Sequence, residues 1–370
     1  MAKILFVVPF LSGGGAERVV SIWASGLAEL GGDIHLLAFY RVQNEYALSG
    51  QVNLHTVAAN EGAYARLGGL GKIMGIRRVL KELKPDVVLP FVSYAGILMM
   101  LSNIGLHARI VETVRIDPKY EPLGLKWGLL RRIALRLSKR CIVQTESQLK
   151  QFSKGLQKRM VVLPNPVSPD FTVSQKIYKE TKIRNLIAVG RLEKQKNYEM
   201  LLVAFAQAAA DEKIYLRVYG EGSLFWELDE LIGKLGLGGR VRLCGKTDRI
   251  AEALLEADLF VLSSDAEGFP NALMEAMAAG LPCIATDCPT GPAELIANGK
   301  NGLLVPAGNA DAMNAAILWM IRHPAEAAQM GMEARKNILD RYDASNNTLE
   351  LLRIIEGSCK PSIAREGGAA

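Results

Sequence analysis

The chain has 370 residues, of which 49% are hydrophobic and 22% are charged, and its net charge is +6. This composition excludes a disordered protein, and the length leaves room for two domains of ordinary size. The charge is unevenly placed, because residues 1–164 hold 22 Lys and Arg against 11 Asp and Glu, whereas the remainder holds 22 against 27. We therefore expect the first half, at +11, to face an anionic partner.

The five cysteines are scattered and form no Cys-x-x-Cys pair, so they predict neither a disulfide framework nor a zinc site. The first residues, MAKILFVVPF, contain one Lys and a short apolar run without a following small-residue cleavage motif. They predict a first strand rather than a signal peptide. We therefore expect a cytoplasmic protein.

The chain then alternates apolar strand-like runs with amphipathic helical runs, the pattern of a parallel α/β fold. Predicted strands of the first half are ILFVVPF, IHLLAFY, VNLHTV, DVVLPF, RIVETV and CIVQT. The alternation pauses at MVVLPNPVSPDF, whose prolines cannot continue a regular element. A second series follows: NLIAVG, YLRVYGEG, VRLCG, LFVLSS, PCIATD and NGLLVP.

The uncharged stretch Val87–Ala108 is long enough to span a bilayer, so a transmembrane helix is one interpretation. Pro90, Gly96 and Gly105 interrupt it, however. The favoured prediction is a short strand, a turn and a buried helix.

These patterns predict an α/β protein of two Rossmann-like domains that face each other across a cleft. The predicted boundaries are 1–165 for the first domain, 166–340 for the second, 341–357 for a helix that packs back across the junction, and 358–370 for a disordered tail. Ligands of such sheets bind beyond the carboxyl ends of the strands, so the loops there are expected to carry the chemistry.

The strongest motif is LFVLSSDAEGFPNALMEAMAAGLPCIATD, in which a strand, a short loop and a helix follow one another. Glu267 and Gly268 lie in the loop, and Pro270 is expected at the first helical position. The helix N-terminus, from Phe269 through Pro270 and Asn271 to Ala272, is suited to binding a phosphate. Glu275 lies further along the helix, where it can reach a hydroxyl of the same ligand. The alternative is a pair of ordinary solvated glutamates.

A second motif, AVGRLEKQKNYEMLL, places Arg191 and Lys196 in a loop between a strand and a helix. A guanidinium can grip two oxygens and an ammonium acts as a point charge, so together they suit a diphosphate. Fixed cations there would stabilise the charge that develops on a departing phosphate.

A third motif, LSGGGAERVV, follows the first strand, and Gly14 and Gly15 would let the backbone approach a ligand closely. A dinucleotide fingerprint is disfavoured, because Arg18 occupies the position of its third glycine. The loop is expected to face a diphosphate or an acceptor, or else to serve only helix–strand packing.

No Asp-x-Asp occurs, and the four histidines show no ligand spacing, so no metal and no cofactor are expected. The sequence also lacks GxSxG and Walker-type motifs, which disfavours hydrolases and phosphate-loop nucleotidases.

The segments EGFPNALME, GRLEKQKN, VYGEGS and GGGAERV together resemble family 4 of the glycosyltransferases, retaining enzymes of the GT-B fold. The resemblance implies a nucleotide-sugar donor in the second domain and an acceptor in the first. It implies that Glu275 binds the ribose, that Glu267 binds a donor-sugar hydroxyl, and that Arg191 and Lys196 hold the diphosphate. Gly220, Gly222 and Lys246 would lie near the nucleotide.

The resemblance further implies transfer of a hexose or N-acetylhexosamine, with UDP as the favoured nucleotide. GGAERV is similar to the start of bacterial enzymes that extend polyprenyl-diphosphate-linked or cell-surface glycans. The chain departs from the family pattern at RIVETVRIDP, where Arg115 stands in place of a histidine that contacts the donor sugar in many members. We expect Arg115 to contact the sugar or the acceptor.

Two basic amphipathic helices predict an anionic membrane surface as a partner, on the inner face of the cell membrane. KIMGIRRVLKELK contributes Lys72, Arg77 and Arg78, and GLKWGLLRRIALRLSKR contributes Arg131 and Arg132. These cations would serve the membrane or the diphosphate of a lipid-linked acceptor. Ordinary solvated helices are the alternative.

Two other functions stay open at this point. One is a nucleotide-sugar epimerase or sugar phosphorylase on the same fold, and the other is a non-catalytic binder of sugar nucleotides or anionic polymers. Nucleic acid is not expected, because the aromatic residues do not alternate with the cations as a stacking platform requires.

Overall fold

The computed structural model describes residues 2–117, 124–176 and 182–359. They form two α/β units, each built on one parallel sheet. Of the described residues, the first unit holds 2–115, 124–163 and 344–359, and the second holds 116–117, 164–176 and 182–343. The division after Leu163 lies in the proline-rich segment.

The first unit, with elements numbered along the chain, contains seven strands: β1 (Ile4–Val8), β2 (Ile34–Ala38), β3 (Asn53–Thr56), β4 (Val87–Pro90), β5 (Arg109–Thr113), β6 (Arg140–Val143) and β7 (Met160–Val162). Its helices are α1 (Gly15–Glu29), α2 (Glu61–Arg66), α3 (Gly69–Leu83), α4 (Ser93–Ser102), α5 (Leu125–Leu137), α6 (Glu146–Lys150), α7 (Lys154–Gln157) and α15 (Ala344–Cys359). The sheet order is β3-β2-β1-β4-β5-β6-β7.

The second unit contains six strands: β8 (Asn185–Val189), β9 (Tyr215–Tyr219), β10 (Val241–Gly245), β11 (Leu259–Leu262), β12 (Cys283–Asp287) and β13 (Leu303–Pro306). Its helices are α8 (Tyr198–Asp211), α9 (Phe225–Lys234), α10 (Ile250–Glu256), α11 (Asn271–Ala278), α12 (Pro292–Leu295), α13 (Ala310–Arg322) and α14 (Pro324–Tyr342). Short 3-10 turns cover Pro169–Phe171 and Lys194–Lys196. The sheet order is β10-β9-β8-β11-β12-β13.

Both sheets are covered by helices on their two faces, which explains why the strands read as continuous apolar runs. In β1, Ile4 and Phe6 pack toward α1 and α15, while Leu5 and Val7 pack toward α3 and α4. The second sheet is covered likewise, by α8, α9 and α13 on one face and by α10, α11 and α14 on the other.

The predicted strands are confirmed, and so is the division of Val87–Ala108 into β4, a turn and the buried helix α4. Within residues 2–117, 124–176 and 182–359, no helix has both the length and the apolar character needed to cross a bilayer. The sequence analysis missed β7, because its three residues directly precede the prolines that were interpreted as a break.

Two helix ends differ from the sequence-based expectation. The helix expected to begin at Pro270 begins at Asn271, because Pro270, with φ −81° and ψ 84°, lies just outside helical geometry. The predicted end is confirmed, since Gly280 has φ +86°, a conformation that glycine adopts freely after a helix. Helix α15 extends to Cys359, two residues past its predicted end, and 360–370 lie outside the described residues.

Two histidines face each other on neighbouring strands β2 and β3. His35 Nδ1 lies 2.9 Å from His55 Nε2, and His35 Nε2 lies 3.0 Å from Asp33 Oδ1. A bond between two imidazoles needs one unprotonated nitrogen as acceptor. Burial, and then the proximity of His35, lowers the pKa of His55.

This pair makes the stability of the protein depend on pH. A histidine whose pKa is lowered by folding stabilises the folded state above its ordinary pKa, and that stability is lost as the pH falls. We expect the free energy of unfolding to drop more between about pH 8 and about pH 5 in the wild type than in His55→Gln. Urea unfolding at the two pH values measures this, and parallel losses in both proteins would contradict it.

Candidate active site

The predicted site residues of the second unit lie at the carboxyl edge of its sheet. Strands β8 and β11 are neighbours there although they are not consecutive in the chain, so the strand order reverses between them. Crevices at such a reversal are where open α/β sheets bind ligands. The loops after β8 and β11 carry Arg191, Lys196 and Glu267.

Lys196 and Glu267 meet directly at this crevice. Lys196 Nζ lies 2.6 Å from Glu267 Oε1, and Ser264 Oγ donates to the same oxygen at 2.6 Å. Glu267 is only 6% exposed, so these partners take the place of water around its carboxylate. Arg191, in contrast, is exposed.

The two loops are joined by a set of further hydrogen bonds. Asn197 Nδ2 donates to Asp265 Oδ1 at 2.9 Å, and Ser263 Oγ donates to the carbonyl of Lys196 at 2.7 Å. The amide of Asp265 also donates to the carbonyl of Gln195 at 2.9 Å. Lys196 and Glu267 are therefore held together by their backbones as well as by their charges.

Asn197 performs three tasks at the start of α8. Its backbone adopts the left-handed region, with φ +46°, which asparagine tolerates better than most residues. Its side chain accepts a hydrogen bond from Met200 N at 3.2 Å and so caps the helix. The same amide group binds Asp265, which links the cap to the second loop.

Helix α11 begins beside Glu267. Its first intrahelical bond runs from Met274 N to Pro270 O, so the amides before Met274 precede the hydrogen-bonded ladder and can point at an anion. Phe269 is anchored by its ring contact with Tyr342, at 5.7 Å between centroids. Gly268 and Pro270 are buried, and Glu275 is 4% exposed inside the same helix.

Asn271 and Ala272 are partly exposed at the start of α11. Asn271 Oδ1 accepts a hydrogen bond from Asn165 Nδ2 at 2.7 Å. Thr290 Oγ1 donates to the carbonyl of Glu267 and lies 3.4 Å from Asp117 Oδ2. The segment that follows β12 thus supports the loop that carries Glu267.

Gly220 and Gly222 let the loop after β9 pack against the loop that carries Arg191. A Cβ at Gly222 would lie 2.6 Å from the carbonyl carbon and 2.7 Å from the amide nitrogen of Leu192. The amide of Leu192 donates to the carbonyl of Glu221 at 2.9 Å, which keeps the two loops together. Lys246 follows β10 at the same edge and is exposed.

In the first unit, the glycine loop follows β1. Gly14 lies against Glu17, since a Cβ at Gly14 would collide with that carboxylate, and Gly15 is exposed. The space that a side chain at Gly14 would need is therefore occupied by the carboxylate of Glu17 in helix α1.

Arg115 follows β5 and lies over two aromatic rings of the same unit. Its guanidinium carbon is 4.6 Å from the centroid of Trp23 and 4.4 Å from that of Phe91. Burial lowers the pKa of this guanidinium. The position is suited to holding α1 against the end of β4 through cation–π contacts. Its predicted contact with sugar or acceptor stays a prediction.

The five cations predicted to face a membrane differ in their surroundings. Lys72 Nζ lies 4.6 Å from the centroid of Tyr64, and Arg77 donates to the carbonyls of Ser102 and Ile104 at 2.9 and 2.6 Å. Arg131 is partly buried, whereas Arg78 and Arg132 are exposed. Arg77 therefore stabilises the end of α4.

Several residues of the site escaped the sequence analysis: Ser264, Asp265, Asn197, Thr290 and Asp117. Asn197 directly precedes a helix, which is a recognisable capping signal. Thr290 and Asp117 are 173 positions apart, and no local pattern indicates their proximity. Among the described residues, no group of three or more His, Cys, Asp and Glu side chains is arranged to hold a metal ion.

Two family models match the sequence. The model described as Glycosyltransferase Family 4 matches residues 13–171, and the model described as Glycosyl transferases group 1 matches residues 170–337. Together they include the glycine loop, Arg115 and all the site residues of the second unit.

The relatives with curated names include a glycosyltransferase named for a lipid-linked glycan and a phosphotransferase named for an exopolysaccharide. An enzyme of Campylobacter jejuni, named GalNAc-α-(1→4)-GalNAc-α-(1→3)-diNAcBac-PP-undecaprenol α-1,4-N-acetyl-D-galactosaminyltransferase, is 26% identical over 312 residues, which are 82% of this chain and 85% of that protein. An exopolysaccharide phosphotransferase of Streptomyces coelicolor is 31% identical over 232 residues, 61% of this chain. The chain spans only 24% of the length of the Streptomyces protein.

Solved structures share the fold. The crystal structure of Anabaena HepE in complex with UDP and glucose has a TM-score of 0.80 at 19% identity, and the match covers 96% of this chain and 100% of that one. At this identity the likeness shows the fold alone, which is the GT-B fold, with two parallel-sheet units, predicted above.

The packing at Gly222 yields one prediction. Gly222→Ala would force the loop after β9 away from Leu192, so we expect a loss of about 1–3 kcal/mol in the free energy of unfolding. Gly233→Ala, in α9, is a matched control because a Cβ there meets no atom within 4 Å. We expect the control to be neutral or to gain about 0.5–1 kcal/mol. Denaturant unfolding compares the two, and an equal effect would refute the packing argument.

The hydrogen bond between the side chains of Asn197 and Asp265 yields a second prediction. Asn197→Asp keeps the capping oxygen but sets two carboxylates against each other, so we expect a loss of about 1–3 kcal/mol in unfolding free energy. Adding Asp265→Asn lets residue 265 donate the hydrogen bond and residue 197 accept it. This double variant should recover most of the lost unfolding free energy. A double-mutant cycle measures the coupling. Additive effects would show that the two side chains do not act together.

Proposed function

Because this chain belongs to family 4 of the glycosyltransferases, we propose that it moves a sugar from a nucleotide-diphosphate donor to a glycan acceptor. We propose UDP as the nucleotide, a hexose or N-acetylhexosamine as the sugar, and retention of the anomeric configuration. The observation that carries the proposal is the contact between Lys196 and Glu267, 2.6 Å apart beside the N-terminus of α11.

The geometry of this pair leaves both side chains able to bind a donor. The ammonium of Lys196 has three N–H donors, of which Glu267 uses one, so two stay available for phosphate oxygens. Glu267 receives its bonds from Lys196 and Ser264 at Oε1. Its Oε2 can therefore accept a hydroxyl of the sugar.

The remaining residues are assigned by their position around this pair. The first amides of α11 would bind the diphosphate together with Lys196, and Arg191 would approach it from the exposed side. Glu275, buried inside α11, would accept hydrogen bonds from the ribose hydroxyls. The exposed Lys246 and the loop at Gly220 and Gly222 would border the nucleotide.

The departing group is the nucleoside diphosphate, whose β-phosphate gains negative charge as the bond to the sugar breaks. Lys196, Arg191 and the amides of α11 would place positive charge near the phosphate that gains negative charge, and Lys196 is held in position by Glu267 before the reaction. We therefore propose that transfer proceeds without a metal ion. Preorganised stabilisers of this kind contribute a few kcal/mol each to lowering the barrier.

We propose that retention is achieved by departure and attack on the same face of the sugar. The bond between C1 and the phosphate oxygen breaks, the acceptor hydroxyl oxygen bonds to C1, and its proton passes to the departing phosphate. Cys288 is an unsuitable nucleophile, because burial raises its pKa to about 12 and keeps it a neutral thiol. Mass spectrometry that trapped a covalent sugar–enzyme adduct would contradict this mechanism.

The acceptor is proposed to be a glycan or a polyprenyl-diphosphate-linked glycan at the inner face of the cell membrane. The Campylobacter relative is named for such an acceptor, and HepE was crystallised with UDP and glucose. The net charge of +11 over residues 1–164 also favours association with an anionic bilayer. We propose a cytoplasmic protein bound peripherally to that membrane.

The assignment of Glu275 is tested by Glu275→Gln. The charged acceptor of the ribose hydroxyls is lost while the shape is kept, so we expect UDP to bind about 10- to 100-fold more weakly. Glu333→Gln, on the exposed surface of α14, is the matched control and should leave the affinity unchanged. Calorimetry or the thermal shift on adding UDP measures both proteins.

Unchanged UDP affinity in Glu275→Gln would refute the assignment. A panel of UDP- and GDP-sugars in the same thermal-shift assay identifies the donor. Product analysis with the best donor separates the possibilities, because an epimerase would isomerise the donor alone and a non-catalytic binder would leave it intact.

A further inference from the structure

An open groove of about 650 Å³ lies in the first unit, at the amino ends of strands β5 and β6. Its walls are the end of α4, the start of β5, the end of α5 and the residue before β7. The glycine loop and Arg115 follow β1 and β5 at the opposite, carboxyl edge of the same sheet. The groove is therefore separate from the residues proposed to act in transfer.

Three cations line the groove: Arg109, Lys139 and Arg159. All three are exposed, and among the described residues that line the groove none carries a carboxylate. The nearby Asp86 accepts a hydrogen bond from Lys3 N at 2.8 Å and does not line it. Arg159 Nη1 donates to the carbonyl of Arg136 at 2.8 Å, which fixes that side chain at the rim. The groove is thus suited to an anionic group.

The rim of the groove is apolar. Ile104 is 68% exposed and Leu137 is 71% exposed, although both are large aliphatic side chains. Leu129 and Ile133, which precede Leu137 at intervals of four residues on α5, are exposed too and extend the rim into a stripe along one face of the helix. Exposed cations of α5 flank the stripe: Lys126, Arg132 and Arg136.

We propose that this groove binds the phosphate headgroup of an anionic phospholipid while Ile104 and Leu137 enter the boundary of the acyl chains. The proposal rests on the membrane association proposed above and assigns it to one site. A free phosphate would match the cations but would leave the apolar rim exposed. A bilayer that carries anionic headgroups satisfies both features at once.

Docking at this groove also orients the first unit. Helix α5 connects the parallel strands β5 and β6, so it runs back from the carboxyl edge of the sheet to the amino edge. Its stripe therefore lies along the bilayer surface from Leu129 to Leu137 at the groove. The carboxyl edge, with the glycine loop, is then held close to the same surface, where a lipid-linked acceptor would be presented.

The experiment compares two double variants of the full chain. Arg109→Gln with Lys139→Gln removes two of the three groove cations, and Lys154→Gln with Lys158→Gln removes the same charge from exposed positions in and next to α7. The probes are phosphatidylcholine vesicles with and without phosphatidylglycerol, measured by flotation. Because each cation near an anionic surface contributes about 1 kcal/mol, we expect the groove variant to bind about 30-fold more weakly. The control should bind like the wild type.

Each outcome separates the groove from the broader proposal. If the wild type itself does not bind vesicles containing phosphatidylglycerol, the proposed membrane association is wrong. If the wild type binds but both variants weaken equally, net charge alone attracts the bilayer and the groove site is wrong. The groove site would also be wrong if inorganic phosphate, at the same concentration as the phosphatidylglycerol headgroups, displaced the wild type from the vesicles. An unchanged thermal shift with UDP verifies that both variants are folded.

Discussion

The contact between Lys196 and Glu267 is the constraint on which the second unit depends. Glu267 is 6% exposed there, and removing Lys196 would leave this buried carboxylate without its cationic partner. The pair brings together loops that leave β8 and β11, strands made adjacent only by the order of the sheet. Hydrogen bonds from Ser263, Ser264 and Asn197 then fix the two loops as one structure. Under the proposed function, a site organised in this way would be in place before the diphosphate of the donor binds.

The first unit uses charge in a different way. Its sheet has the same kind of order reversal, between β1 and β4, yet Arg115 near that position lies over the rings of Trp23 and Phe91. Its other cations are mostly placed on the outer helices and at the amino edge of the sheet, where water reduces the cost of each charge. The result is one unit in which opposite charges pair between two loops and another whose surface carries an excess of positive charge.

Much of the fold follows from local pattern. Strands covered on both faces must be apolar throughout, so they stand out in the sequence, and Gly280 marks the end of α11 because few other residues adopt its φ of +86° comfortably. The sequence analysis did not predict β7, because three apolar residues beside prolines are too short a run to indicate a strand. The pairing of Asn197 with Asp265, and of Thr290 with Asp117, escaped because proximity between distant segments leaves no periodic trace.

By itself, the sequence determined the parallel α/β class, the two-unit plan, the family, and the chemical types of residue at the candidate site. These depend on periodicity, on turn residues and on short motifs, which are local properties of the chain. Only the tertiary structure decided that Lys196 reaches Glu267, that Glu17 lies against the glycine loop, and that three cations and two exposed aliphatic side chains border one groove. Those arrangements arise from the order in which strands pair and helices cover them, and side-chain distances exist only once that packing is complete.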